Sequence, residues 1–225
     1  MCWSPAADLI AGSAITVVGV MALASVRRAR DAPMAALPLL LGAHQLIESM
    51  VWRNAGDGAH AIGGTVVLLW VVIAFPLLPA YVPLAVFIAA SHWSRLRLVP
   101  FVAVGLVTAS VFAYAMASGP VTAEPVGHTM RYGVHHLSLE NLVVAGYLVA
   151  TLGTLLVSDQ PELRLLGLVA SVGALGCFLL WQDAFVSTWC ALAAVASVIV
   201  LYWLRRPRKR RAAPDPFRRP RVPVR

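Results

Sequence analysis

The sequence predicts an all-α fold: a polytopic membrane bundle of about seven transmembrane helices. Three observations carry this. First, 60 % of the 225 residues are hydrophobic and only 12 % are charged, against about 25 % charged in an ordinary soluble domain. Second, apolar runs of about 20 residues recur along the chain, the length that crosses ~30 Å of hydrocarbon. Third, the arginines gather in clusters between those runs, as the positive-inside rule requires. Mean hydropathy is +0.78.

The first run spans Pro5 to about Val26, with Ser4 as a cap and Pro5 in the first turn, and "RRARD" ends it. The second begins near Pro33 and ends at Trp52 and Arg53, followed by the turn "NAGDG". From Ala61 to His92 the chain is apolar but interrupted by Pro76, Pro79 and Pro83. That segment reads either as one long kinked helix or as a full span followed by a short one. "SRLR" then punctuates, Val99 to Ser118 makes another span, and "GPVTAEPVGHTMRYGVHHLS" reads as a polar loop. Leu139 to Val157, Glu162 to Leu180 and Ala184 to Leu204 supply three more. With seven spans and the N-terminus outside, 16 of the 18 basic residues fall inside and only Arg53 and Arg131 outside. Eight spans would break that bias. The chain thus divides into a transmembrane bundle, 1–204, and a cytoplasmic tail, 205–225.

Most of the formal charge of +8 lies in that tail, "RRPRKRRAAPDPFRRPRVPVR". Its prolines and charges predict disorder, and its position predicts contact with anionic lipid headgroups, not with nucleic acid. Three cysteines are too few for a disulfide scaffold. No basic segment precedes the first apolar run, so that helix is expected to stay in a multi-pass protein of the plasma membrane.

This topology gathers the scarce acids, imidazoles and thiols in the outer half. Glu48 is the sharpest of them. Lying four residues from His44 in "HQLIESMVW", it shares a helix face with it, and a carboxylate there must be protonated or paired. It reads either as a stitch between helices or as a ligand or proton-handling group. Asp8, in the first turn of its helix, matches ordinary capping chemistry as well as a site. In the loop, His128, His135, His136 and Glu140 form a donor set suited to zinc or a similar divalent ion, or a polar surface. "WQDAFVSTWCALAA" opens the last helix with Asp183 at its entrance. Cys190, further in, reads as a small filler, a disulfide partner of Cys2 or Cys177, or a thiolate ligand.

Four motifs together resemble an uncharacterised family of bacterial membrane proteins of unknown function. They are "MCWS"; Gln45, Glu48 and Trp52 after "LPLLLG"; Gly127, His128 and Tyr132; and Phe185 to Cys190. The similarity runs through most of the chain outside the tail. One departure is His44, where such sequences commonly carry glutamine; this shifts weight toward Glu48, His128 and the cysteines. The resemblance implies a fold and a location but no reaction.

Three function classes follow. Small loops fit a sensor, accessory or assembly subunit working with other membrane proteins. An outer-side metal site would draw on Cys2, Glu48, His128, Cys190 and His44. In a catalytic version Glu48, Asp8 and Asp183 would orient groups and move protons, while a metal-bound water attacked a lipid-like ester or amide. A proton-coupled transporter or channel would use Glu48 as a relay, although the repeats and matched broken helices common in transporters are absent from the sequence. No paired histidines suggest haem.

Overall fold

The computed structural model describes residues 4–55, 64–126, 129–134, 140–180 and 192–206. Helix α1 spans Pro5–Ala24, and a single 3-10 turn, Ala29–Asp31, leads into α2, Ala32–Ala55. Helix α1 starts where the sequence places it: Ser4 accepts the Ala7 N–H at 3.1 Å, and Pro5 occupies the first turn. The two helices lie against each other through glycines. A Cβ on Gly42 would fall 2.5 Å from Thr16 Oγ1, so the contact closes only without one.

The proline-broken segment forms one apolar helical run, Thr65–Ala89. It consists of α3, Thr65–Val72, a π-helical turn, Ile73–Leu77, and α4, Leu78–Ala89. Pro76 lies within the π turn, where the widened hydrogen-bond ladder accommodates its missing N–H. Helix α5, His92–Ser118, corrects the expected start at Val99. "SRLR" does not punctuate, because arginine and leucine are good helix formers. The break comes earlier, where Ala90 and Ser91 are both extended (ψ 155°).

The expected polar loop also requires correction. It contains a β-hairpin, β1 Thr122–Val126 against β2 Thr129–Gly133, antiparallel with Glu124 opposite Arg131. Ala123 and Met130 turn inward and are buried, while Glu124 and Arg131 are exposed. Beyond it run α6, Glu140–Leu148, a second π turn, Val149–Gly153, and α7, Thr154–Val157. Helices α8, Pro161–Leu180, and α9, Leu192–Arg205, complete the described fold.

Among the described residues, five helical runs are long and apolar enough to cross a membrane: Pro5–Ala24, Ala29–Ala55, Thr65–Ala89, His92–Ser118 and Glu140–Val157. Exposed apolar side chains such as Ile10, Val107, Leu142 and Val172 line the outside of the bundle, as lipid-facing surface would. Two apolar cores lie inside. One, with Ala22, Met34, Val86, Leu98 and Trp203, is near the arginine-rich turns; the other, with Val51, Val67, Trp70, Ala123 and Met130, is beneath the hairpin.

The arginine-rich end is tied together by polar contacts between turns. Arg206 pairs with Glu162 and donates to Gln160 Oε1 at 2.6 Å; Arg205 donates to Ser25 Oγ, and Tyr81 donates to the Pro33 carbonyl at 2.6 Å. Asp159 accepts from the Ser91 N–H at 3.2 Å and the Ser94 hydroxyl at 3.0 Å. Burial pushes its carboxyl up, but these bonds outweigh it and hold Asp159 below the usual carboxylate range. Because the folded value is the lower one, the stabilisation is complete above the unfolded value of about 3.9 and vanishes as pH falls through the folded value. Thermal unfolding in detergent should therefore separate the wild type from Asp159→Ala at pH 7, with the gap closing toward pH 3. A gap independent of pH would assign the effect to packing.

Candidate functional site

The polar residues of the hairpin end meet around one indole. Trp70 of α3 is fully buried, and its Nε1–H donates to Glu48 Oε2 at 3.2 Å. The His44 ring lies 4.5 Å from it, tilted by 32°, and Tyr132 of the hairpin stacks on it at 3.5 Å, within 6° of parallel. Phe75, in the π turn, meets it edge-on at 6.4 Å. The four-residue spacing of His44 and Glu48 does put both on one face of α2, and the face is filled by Trp70.

Local sequence explains the placement. Helix α2 is apolar enough to be inserted among its neighbours, so its polar residues survive only by turning inward. His44, Gln45, Glu48 and Ser49 are all buried. The hairpin alternates, so Tyr132 and Ala123 are opposite each other on one face while Arg131 and Glu124 share the other. That alternation brings a phenol ring down onto Trp70.

Asp8 is also fully buried, on α1. The close α1–α2 contact, with Gly12 against Gln45 and Leu46, carries Asp8 to the level of the last turns of α2. There the Trp52 indole approaches it without closing a hydrogen bond. Among the described residues neither carboxyl oxygen of Asp8 is hydrogen-bonded. A buried carboxyl in that state is costly, on the order of 1–3 kcal/mol for each missing partner.

The remaining sequence candidates, Cys2, His128, Asp183 and Cys190, lie outside the described residues, as do His135, His136 and residues 207–225 of the tail. Among the described residues there is no group of three or more His, Cys, Asp or Glu able to hold a metal. The profile of a family of unknown function, DUF6629, matches residues 1–215. The chain belongs to that family. The DUF6629 match takes in α1 to α9 and about half of the basic tail, so it covers the cluster around Trp70 as well as the fold. No curated protein and no solved structure matches the chain.

Sequence reasoning singled out Glu48, His44 and Asp8 and placed Tyr132 in a motif with Gly127 and His128, but it missed Trp70. An indole in an apolar run reads as filler; the signal lay in Glu48, which needed a donor from another helix. The stacking of Tyr132 on Trp70 was hidden because five alternating residues between glycines look like loop.

Proposed function

We propose that this DUF6629 protein is a seven-span plasma-membrane protein, N-terminus outside and basic tail inside, that works as a sensor or accessory subunit for other membrane proteins. The observation that carries the reading is the stack of Tyr132 on Trp70 with Trp70 bonded to Glu48. It ties a hairpin at the membrane surface to a buried carboxyl on a spanning helix. A contact that moved the hairpin would be felt at Glu48 and, through Phe75, at the π turn of the α3–α4 run. The arginine bias supports the orientation, and the tail is suited to anionic headgroups. Cross-linking in native membranes should trap a reproducible partner whose yield falls with Tyr132→Ala. Recovery of the uncross-linked monomer alone, under conditions that trap a known complex, would overturn the reading.

Asp8 favours a second reading. Its unbonded oxygens are suited to a divalent cation such as zinc, shared with Glu48 and with Cys2, His128 and Cys190 from segments beyond those described. Elemental analysis after mild extraction is then expected to give one metal per chain, lost in an Asp8→Asn, His128→Ala double variant. A metal-free wild type, or unchanged stoichiometry in the variant, counts against it.

A further inference from the structure

Helix α5 begins at His92, well before the apolar run that starts at Val99, and Arg95 and Arg97 in its first turns serve different ends. At about 100° per residue, Ser91, Ser94, Arg95 and Leu98 share one side of this segment, and Trp93, Leu96, Arg97 and Pro100 the other. The protein itself occupies the first side. Leu98 is buried, and Asp159 accepts from the Ser91 N–H and the Ser94 hydroxyl. Arg95 donates to the Ile88 carbonyl at 3.2 Å and lies over the Phe87 ring, 5.5 Å from its centroid. The second side is bare: Trp93 is 88 % exposed, Leu96 80 %, and Arg97 and Pro100 are exposed as well. That face continues along the helix through Val107 to Tyr114, both exposed. At 1.5 Å per residue Trp93 and Tyr114 stand about 30 Å apart, the thickness of the hydrocarbon core. Exposed indole and phenol rings belong at the two membrane surfaces, so this pair fixes the depth of what lies between them. Arg97 is one turn inside Trp93, at the edge of the hydrocarbon, where a lipid-facing charge needs a counter-charge. Helical side chains lean toward the N-terminus, which lifts the Arg97 guanidinium to the level of the indole and the headgroups.

We propose that Trp93 and Arg97 form a binding site for one anionic phospholipid, of the phosphatidylglycerol type, in the leaflet at the arginine-rich end. The planar guanidinium offers paired N–H groups to two phosphate oxygens. The indole packs beside the glycerol backbone, and an acyl chain follows the bare face past Pro100 toward Val107. Charge selects the headgroup. Arg27, Arg28 and Arg30 are exposed at the same end, whereas Asp159 meets the start of α5 from the opposite side. A headgroup of net negative charge is favoured in that field, and a choline headgroup brings its own ammonium into it. The site is separate from the basic tail. It rests on the membrane-spanning reading, but not on the role with partner proteins or on which leaflet is cytoplasmic.

The test mixes the full-length protein, in mild detergent, with phosphatidylglycerol and phosphatidylcholine of identical chains and counts bound lipids by native mass spectrometry. One phosphatidylglycerol per chain is expected to survive collisional activation that strips phosphatidylcholine. Arg97→Gln should lower its occupancy about tenfold. Arg97→Lys keeps the charge but loses the planar fork, so its loss should be smaller. Trp93→Ala should lower occupancy about threefold. Both side chains are exposed, so these variants are expected to fold as the wild type does. Arg164→Gln removes one charge from an exposed position at the same end and should leave the lipid in place. Equal losses in Arg164→Gln and Arg97→Gln would show a diffuse charge effect, and a lipid lost only on replacing tail arginines would belong to the tail. Either result overturns the site, as does equal retention of the two lipids. Recovery of the chain from cells without detergent would overturn the membrane-spanning reading, and this site with it.

Discussion

Trp70→Ala is expected to be the most damaging substitution in the hairpin half of the molecule. Truncating a buried tryptophan usually costs about 3–5 kcal/mol. In lipid the apolar transfer part is muted, because tails are as apolar as the core, but the lost packing is not. The indole is in contact with Tyr132, His44 and Phe75, each ring pair worth about 0.5–1.5 kcal/mol. Glu48 also loses the hydrogen bond from the indole, a further cost of about 0.5–1.5 kcal/mol. The total approaches the whole stability of many domains, about 5–15 kcal/mol. Trp70→Phe keeps an aromatic ring for the stack but loses the N–H and part of the indole's volume, so it should fall between wild type and Trp70→Ala. Glu48→Gln retains an acceptor oxygen and should be milder still. Unfolding midpoints in detergent, with proteolysis of the hairpin as a second readout, give the order. Equal midpoints for Trp70→Ala and wild type would remove Trp70 from the centre of this account.

A comparable loss is expected from Gly105→Leu, for a reason of backbone geometry. Pro83 has no N–H to offer the carbonyl of Pro79, one turn before it. Gly105 of α5 brings its own backbone against that carbonyl: a Cβ there would stand 2.1 Å from Pro79 O and 2.9 Å from Pro83 Cγ. Approach of this kind lets a Cα–H point at an oxygen that the helix has left unbonded. Neither a carbonyl nor a proline ring can swing aside, so α5 itself must move. Gly105→Ala should cost about 1–3 kcal/mol, and Gly105→Leu should abolish monodisperse protein on size exclusion. Gly176 supplies the control, since a Cβ there meets nothing within 4 Å among the described residues. Gly176→Ala should be neutral or slightly favourable. Similar behaviour of the two alanine variants would show that the α4–α5 contact is loose.

The helices were legible because lipid imposes one strong demand, about 20 apolar residues with every backbone group bonded within the segment. Ser4 and Pro5 marked the first start by the same logic of unsatisfied N–H groups. Other features depend on partners far along the chain. Pro76 announced trouble in the helix, but a kink, a break and a π turn all look alike in sequence. The hairpin escaped notice because its signal, alternation over five residues, is short, and what fixes it is the buried pairing of Ala123 and Met130 with the core around Trp70. Arg95 and Arg97 looked like a boundary, yet they extend α5 by almost two turns beyond the expected start. Glu48 was legible as a residue needing a partner; that the partner is an indole 22 positions later was not.

Helix α9 is packed against α1, α2 and α8, with Ser197, Val200 and Trp203 buried and Arg205 reaching Ser25 on the first turn of chain reversal. It also emerges from the ribosome well after α1 and α2. The α1–α2 pair is therefore inserted long before the strip that α9 covers can be closed, and must wait with that strip against lipid or a chaperone. Closing the α1–α2 pair thus depends on a later docking event, and a nascent chain stopped short of Leu192 presents quality control with an unfinished seam.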